Sequence, residues 1–402
     1  MRTTIQDIFR TYKYFISATV GLIILLNIVF QSSNELDPAS LNKTTRSKST
    51  TTTTQKPHQY LRNLQTIESR LGENFPYDPT TEIEKNIWQF WSDVKSLPNG
   101  CGKLIDIFKS DDNLKDGEWT HHLNSTEEIL ELVSTELIQY VPEVQEALAI
   151  LPHPRLRYEF LRYLLIFIKG GLYADIDIKL FKPLRYWYES RYESNQVYLM
   201  IESDYNDLQW ESLYNRRLAF SNSLFMCKSN HPFLAKLIAK ITYIIHTKKE
   251  HILSINWDEQ FKIVDANNEP TVSITSQSIL TDMLFDYIND ANKEHILISV
   301  SREGDPETNV KNIENHESSE FSSIYGPEVP ENLKYSYKSF TLSVAPTQID
   351  DIVILPYISI HGMGDEDEDE QLDVENSINE GYKKYYYAKS MHLTPWTLLV
   401  NN

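Results

Sequence analysis

Two carboxylates lie close together in a largely apolar stretch, IKGGLYADIDIKLFKPL, which covers residues 168–184. The alternation in LYADIDIKL predicts a β-strand on which Asp175 and Asp177 share one face, about 7 Å apart. A buried carboxylate is costly without a partner, and two that share a site repel each other unless a cation lies between them. Either the pair faces solvent at a strand end, or it holds a hard divalent cation such as Mn²⁺ or Mg²⁺.

A cation at this place could stabilise a leaving group. Its open coordination positions suit a diphosphate, whose negative charge the ion neutralises as a Lewis acid. The preceding glycines, Gly170 and Gly171, allow close approach of the backbone beside the carboxylates. An Asp-x-Asp pair alone is a weak signal, so the interpretation depends on the rest of the chain.

The elements around the carboxylates predict an α/β domain. The run RYEFLRYLLIFI at residues 157–168 predicts a buried helix that the glycine pair ends. Apolar runs predict strands at residues 86–91, 196–202 and 351–360. Residues 126–150 predict helices with a break near Pro142, and residues 231–246 predict another helix, because their apolar positions recur at helical spacing.

Composition excludes several classes of protein. The chain has 402 residues and a formal net charge of −19, so nucleic-acid binding is not expected, because acidic surfaces repel phosphates. Its two cysteines, Cys101 and Cys227, exclude a disulfide scaffold and leave either one bridge or two buried thiols.

The first residues predict a membrane anchor. Residues 1–13 are basic, and residues 14–30, YFISATVGLIILLNIVF, carry no charge and would span about 26 Å as a helix. We expect a cytoplasmic tail at 1–13, a transmembrane signal-anchor in the lipid bilayer at 14–30, and a Thr-rich luminal stem at 31–75. The alternative is a cleaved signal peptide with its cleavage site near Ser32.

The segment RYEFLRYLLIFIKGGLYADIDIKLFKPLRYW at residues 157–187 resembles the central motif of glycosyltransferase family 32. More narrowly, it resembles the fungal Golgi α-1,6-mannosyltransferases of the initiation-specific type. Looser resemblances follow in the same order at residues 83–93, 198–234, 353–364 and 388–396. Together these blocks cover roughly residues 82–397.

This resemblance implies a fold, a reaction and a site. It implies a GT-A-like domain at residues 76–402, a Rossmann-like mixed sheet flanked by helices, in a single-pass type II protein of the Golgi membrane with a luminal catalytic domain. The implied reaction transfers mannose with retention from GDP-mannose to a mannose-terminated glycan or glycoprotein, through an α-1,6 linkage. Other Golgi mannosyltransferase subunits are implied as candidate partners.

The resemblance also implies roles for individual residues. Asp175 and Asp177 would be catalytic, with Asp175 on the sugar or ribose and Asp177 on Mn²⁺ or another divalent cation, to which Asp175 and His392 would add ligands. The residues implied in donor binding are Asp175, Trp88, Gln89, Glu159, Arg162, Gly170, Gly171 and Tyr173.

The chain departs from the family pattern at several positions. Glu84 replaces a proline, Glu159 replaces an aspartate, and Ser276 and Gln277 replace Gly-Pro. The departures around the expected acceptor side concern the choice of acceptor more than donor chemistry. Two alternatives therefore stay open: a transferase acting on a glycolipid such as inositol-phosphoceramide, and a catalytically weak structural subunit of a mannan-synthesising complex.

Overall fold

The computed structural model describes residues 67–187, 195–205, 210, 214–264, 270, 274–290, 334–361 and 384–394. The predicted tail and signal-anchor, and most of the predicted stem, lie outside these residues. Within them, no helix combines the length and the apolar character that crossing a bilayer requires. Residues 67–74, at the end of the predicted stem, are helical and bury Ile67 and Leu71 in the main core. The packed part of the chain therefore begins before residue 76.

Ten strands are present in the described residues. They are β1 (Asn86–Trp91), β2 (Thr120–Ser125), β3 (Gly171–Ala174), β4 (Ile178–Leu180), β5 (Val197–Asp204), β6 (Leu218–Phe220), β7 (Leu224–Cys227), β8 (Thr347–Ile349), β9 (Ile352–Leu355) and β10 (Ala388–Ser390). The main sheet has the order β2-β1-β3-β7-β5-β9-β8, with β6 paired to β5, and β4 forms a separate antiparallel pair with β10.

The strand order of the main sheet reverses next to β1, and this reversal concerns the carboxyl ends of the strands. Strands β1, β2 and β3 are parallel, β7 runs against both β3 and β5, and β9 is parallel to β5. The chain leaves β1 for β2 on one side and later enters β3 on the other side. Such a reversal of strand order leaves a crevice at the carboxyl ends of the strands, where ligands bind in open α/β sheets. Asp175 directly follows β3 at this edge.

Besides the helical residues 67–74, the α-helices that the structure describes are α1 (Cys101–Phe108), α2 (Asp111–Leu114), α3 (Thr126–Leu137), α4 (Pro142–Ile150), α5 (Pro154–Lys169), α6 (Pro232–Thr247), α7 (Lys249–Ser254), α8 (Trp257–Gln260), α9 (Gln277–Asn289) and α10 (Ile358–His361). The predicted break near Pro142 is confirmed, because this proline begins α4. Helix α5 contains the predicted helix 157–168 and starts earlier, since the His153 side chain caps it and Pro154 takes its first position.

The core lies on both faces of the main sheet. Helices α5, α6 and α9 cover one face, where Tyr173 and Phe225 belong to the larger apolar cluster. On the other face Leu172 and Met200 pack with Tyr387, which precedes β10. The predicted mixed α/β fold, a central sheet flanked by helices, is confirmed. Both cysteines are buried free thiols, so the second of the two predicted alternatives is the observed one.

Candidate active site

The backbone of Asp175 is fixed from two sides at the end of β3. Its N–H donates to Ser223 O at 2.8 Å, in the turn between β6 and β7. Its carbonyl oxygen accepts a hydrogen bond from Gln89 Nε2 at 3.2 Å, and Gln89 Oε1 is 2.9 Å from His121 Nε2. Gln89 is 0 % exposed, so its contacts here are with protein groups, and it positions Asp175 from within the sheet. Its predicted contact with the donor stays a prediction.

Arg162 reaches the same place from α5 because helix and strand run back along each other. Eight residues of helix before Gly170 cover about 12 Å, and four residues of strand after Gly171 cover about 13 Å. Arg162 Nη2 lies 3.2 Å from Asp175 Oδ2, and Arg162 Nη1 donates to Asn222 O at 3.0 Å. The predicted donor-binding arginine is therefore paired with the first aspartate of the motif.

Aromatic rings complete the surroundings of this ion pair. The guanidinium of Arg162 lies 5.2 Å from the Tyr158 ring centroid and 5.3 Å from that of Tyr173, a geometry in which cation–π attraction operates. Tyr173 is fully buried and its hydroxyl donates to Asp175 Oδ1 at 2.5 Å. Burial raises the pKa of Asp175 to about 6, while Arg162 opposes the rise and Asp177 adds to it. Tyr173 thus positions the carboxylate, and no contact with a ligand is needed to explain it.

Asp177 is held by a distant part of the chain. Its Oδ2 accepts hydrogen bonds from Thr394 N at 3.1 Å and from Thr394 Oγ1 at 2.8 Å. Its backbone oxygen accepts from Met391 N at 3.0 Å, next to the pairing of β10 with β4. Within the described part of the chain, Asp177 Oδ1 has no hydrogen-bond partner. One carboxylate oxygen is therefore fixed while the other stays available.

The C-terminal block contacts Asp177 through a residue other than the predicted one. His392 was predicted as a metal ligand, yet it is exposed and adopts a left-handed backbone with φ of 50°. Thr394, two residues further along, makes the contact with Asp177. A threonine hydroxyl carries no metal-ligand pattern that would indicate this contact from the sequence. Its place in the AKSMHLTPW block was the only available signal.

The donor set fits a divalent cation only in part. Across the described ranges, no three or more His, Cys, Asp or Glu side chains are grouped so that they could hold an ion. The predicted set of Asp175, Asp177 and His392 is therefore not assembled. Carboxylate oxygen is the ligand type that hard cations prefer, and Asp177 Oδ1 can supply it. Both oxygens of Asp175 already interact with Arg162 and Tyr173. Of the two aspartates, Asp177 is therefore the one that could hold such an ion.

Glu159 is enclosed by the chain's own groups. Its Oε1 accepts from Arg155 Nε at 2.9 Å, and its Oε2 accepts from Thr275 Oγ1 at 2.6 Å. Burial alone would raise the pKa of Glu159, but the charges of Arg155 and Arg162 outweigh it and leave the pKa below its usual range. The predicted donor contact of Glu159 stays a prediction; the contacts that it makes join α5 to the segment before α9.

Trp88 packs against a histidine of the neighbouring strand. Its ring stacks on that of His122 with centroids 4.0 Å apart and planes 14° apart, and its Nε1 donates to Gly170 O at 3.0 Å. The register explains the stack, because these two residues are direct partners in the β1–β2 pair. Trp88 is buried, and its contacts described here are with protein groups; its predicted part in donor binding stays a prediction.

Glycine is needed at positions 170 and 171 for a different reason from the one that the sequence predicted. Both residues have positive φ, 62° at Gly170 and 100° at Gly171. A Cβ at Gly170 would lie 1.7 Å from Glu84 Oε2, and one at Gly171 would lie 2.3 Å from Asn86 O. The close approach is therefore to the chain that enters β1, at the opposite end of β3 from Asp175. Glu84 also accepts a hydrogen bond from Ser229 N at 3.0 Å, so the residue that replaces the expected proline is part of this junction.

Comparison with known proteins gives a family and several relatives. Residues 104–197 match the family described as a glycosyltransferase sugar-binding region containing a DXD motif. The initiation-specific α-1,6-mannosyltransferase of Candida albicans is 30 % identical over 311 residues, which is 73 % of this chain and 69 % of the relative. The protein of the same name from Saccharomyces cerevisiae is 24 % identical over 369 residues, 74 % of this chain and 76 % of the relative.

A shorter similarity and one solved structure complete the comparison. The initiation-specific α-1,6-mannosyltransferase of Schizosaccharomyces pombe is 31 % identical over 156 residues, 37 % of this chain and 36 % of the relative. The solved PaToxG glycosyltransferase superimposes with a TM-score of 0.32 at 14 % identity, covering 67 % of this chain and 93 % of that structure. This structural likeness is too weak to carry an argument.

Proposed function

Because this chain belongs to glycosyltransferase family 32, a family of DXD-containing sugar transferases, we propose that it transfers mannose from GDP-mannose to mannose residues of N-linked glycans or mannoproteins. The proposed product linkage is α-1,6, formed with retention at the anomeric carbon. The names of the relatives from three fungi support this choice of sugar and linkage.

The observation that carries the proposal is the state of the two aspartates. Asp177 presents one oxygen without a partner among the described residues, while its other oxygen is fixed by Thr394. Asp175 lies beside it at the carboxyl edge of the sheet, paired with the buried Arg162. This edge, next to the reversal of strand order, is where nucleotide-type ligands bind in comparable sheets.

The site residues have two kinds of role in this proposal: some bind the donor or the ion, and others orient the binding groups. Asp177 would hold a divalent cation, Mn²⁺ in this proposal, which would supply Lewis-acid stabilisation of the negative charge on the leaving diphosphate. Asp175 accepts a hydrogen bond from a hydroxyl of the donor sugar or ribose, since a carboxylate has more acceptor sites than Arg162 and Tyr173 fill. Arg162 keeps Asp175 oriented and compensates its charge. No side chain is assigned as nucleophile or base, because the departing phosphate can take the acceptor proton.

The setting of the reaction is part of the same proposal. We infer a GT-A-type domain that faces the Golgi lumen, behind a single membrane span at residues 14–30 and a polar stem. Other mannosyltransferase subunits remain proposed partners. The basic residues before the apolar run and the secretory setting of the family support this arrangement.

The test uses the purified full-length chain with GDP-mannose, Mn²⁺ and a mannose-terminated oligosaccharide. We expect transfer to stop on chelation, to return with added Mn²⁺, and to fall at least about a hundredfold in Asp177→Asn, which loses the charged ligand. Asp116→Asn is the matched control, because Asp116 is exposed and precedes β2, at the opposite edge of the sheet. Transfer that survives chelation, or an Asp177→Asn variant as active as Asp116→Asn, would contradict the proposal.

A further inference from the structure

An aromatic and acidic patch lies at the carboxyl ends of β5 and β9, and β5 is two strands away from the strand that leads to the aspartates. We define the β5–β9 patch as Tyr357, His361 and Glu202. Tyr357 is 44 % exposed, and its ring stacks on that of His361 with centroids 4.1 Å apart and planes 17° apart. His361 Nε2 donates to Glu202 O at 2.6 Å and lies 3.7 Å from Glu202 Oε1. The stack is thus fixed to β5 and presents one phenol ring to solvent.

The register of the sheet places the carboxyl ends of β3 and β5 at the same end of the sheet. Cys227 of β7 pairs with Gly171 on one side and with Val197 on the other. Strands β3 and β5 run in the same direction, so counting three residues from each partner places Met200 level with Ala174, the last residue of β3. Two strand spacings separate β3 from β5, which is about 10 Å. Asp175 and Glu202 therefore follow these two residues at the same end of the sheet, one and two positions further along their segments.

Tyr357 reaches the same level from the other side of β5. Met200 pairs with Leu355 in the parallel β5–β9 ladder, so Tyr357 and Glu202, each two residues further along, lie at the same height. Helix α10, which carries His361, is also joined to the segment that reaches Asp177, since Tyr387 N donates to Ser359 O at 3.2 Å just before β10. The patch and the aspartates therefore lie at the same end of the main sheet and are connected through α10 and the segment before β10.

In the β5–β9 patch, Glu202 offers a carboxylate oxygen to a ligand. Its Oε2 is buried and accepts no hydrogen bond from the residues that the structure describes. A buried acceptor without a donor is unfavourable, so a hydroxyl supplied from outside would relieve it. The neighbouring carboxylate of Asp204 differs, because it accepts from Thr341 Oγ1 at 2.7 Å and from Leu342 N at 2.6 Å. Partial burial raises the pKa of Tyr357, and the nearby carboxylates of Glu202 and Asp204 raise it further, which agrees with the closeness of these carboxylates to the phenol.

We propose that the β5–β9 patch is the acceptor subsite, which binds a terminal mannopyranose. The exposed ring of Tyr357 stacks on the apolar C–H face of the sugar, and Glu202 Oε2 accepts a hydrogen bond from one of its hydroxyls. Sites that combine an aromatic surface with a few polar groups are typical of small-ligand recognition. This inference rests on the proposed function for the identity of the sugar, and it assigns the acceptor to residues distinct from those that hold the donor.

The experiment measures binding of α-1,6-mannobiose to the full-length chain by calorimetry, without donor. We expect Tyr357→Ala to weaken binding about tenfold, because the stacking surface is lost, and Glu202→Gln to weaken it similarly. Tyr357→Phe keeps the ring and should bind within about twofold of the unaltered chain. Tyr140→Ala is the matched control, since Tyr140 is comparably exposed and packs edge-on against Phe75, away from this edge.

Each result has a defined meaning. Weakened binding in Tyr357→Ala with retained binding in Tyr357→Phe and Tyr140→Ala supports the subsite. Absence of mannobiose binding to the unaltered chain, equal affinity in Tyr357→Ala, or equal losses in the Ala and Phe variants overturns it. GDP-mannose binding is measured in parallel, so a chain that binds mannobiose as described but not GDP-mannose would refute the proposed function and leave the subsite standing. In transfer assays, the acceptor KM should rise more than the donor KM in Tyr357→Ala.

Discussion

Thr394→Val tests how the C-terminal segment prepares Asp177 for a cation. The substitution preserves side-chain shape and removes the hydroxyl that donates to Asp177 Oδ2 at 2.8 Å, while the backbone donor at 3.1 Å remains. A hydrogen bond to a charged group contributes about 1.5–3 kcal/mol, so its loss lets the carboxylate leave the orientation in which Oδ1 is presented. We therefore expect the affinity for Mn²⁺ to fall by about tenfold to about a hundredfold.

The assay reports metal binding without relying on turnover. Electron paramagnetic resonance of free Mn²⁺ during titration of the full-length chain gives the dissociation constant directly, and half-maximal activation of transfer gives a second value. Thr394→Ser keeps the hydroxyl and is the matched control, which should stay near the unaltered chain in both measurements. A Val variant with unchanged Mn²⁺ affinity, or a Ser variant as impaired as the Val variant, would refute the reasoning that the hydroxyl orients Asp177.

Two further predictions concern stability. Gly170→Ala should destabilise the fold by several kcal/mol, because at a φ of 62° its Cβ would lie 2.8 Å from the backbone nitrogen of Ser229 and would displace the Glu84 carboxylate. Gly102→Ala, with nothing within 4 Å, should be neutral or stabilising by up to about 1 kcal/mol in denaturant unfolding. Equal effects of the two substitutions would show that the tight junction is not needed. Glu159→Gln should cost about 3 kcal/mol by removing one charge of a buried pair. Folding lowers the pKa of Glu159, so the ionised side chain stabilises the folded state at any pH above its unfolded pKa. This stabilisation is lost as the pH falls through the folded pKa. If the stability of Glu159→Gln fell with acid as steeply as that of the unaltered chain, the result would contradict this.

The Asp-x-Asp pair could be predicted from local periodicity, and Arg162 from the resemblance to the family. The alternation predicted one strand through LYADIDIKL, whereas β3 ends at Ala174 and Asp175 follows it. The nearly equal lengths of helix and strand on either side of the glycine pair bring Arg162 to Asp175. The mixed α/β class followed from the same alternation of elements. Such inferences need only the nearest neighbours along the chain.

Contacts between distant segments could not be predicted, because they depend on register. The stack of Trp88 on His122 exists because β1 and β2 pair with these residues opposite each other, and the strand pattern alone does not fix that offset. The neighbours of the glycine pair, Glu84 and Asn86, were missed for the same reason. A glycine pair signals that something lies close, but the sequence does not say what.

The β5–β9 patch is the clearest example of a group of residues that could not be predicted from the sequence. Tyr357 and Glu202 are far apart in sequence and neither lies in a motif with a known chemical pattern. Their proximity arises only when β9 aligns with β5. Residue type also misled the choice within the C-terminal block, because a histidine suggests metal chemistry while a threonine suggests none.

The hydrogen bonds between Asp177 and Thr394 join residues that are 217 positions apart. During synthesis on the ribosome, the Asp-x-Asp loop therefore emerges long before the segment that fixes it. A nascent chain that has completed β9 still lacks the segment that donates hydrogen bonds to Asp177. The orientation of the Asp177 side chain is therefore fixed only after residue 394 has been translated and has folded back onto the Asp-x-Asp loop.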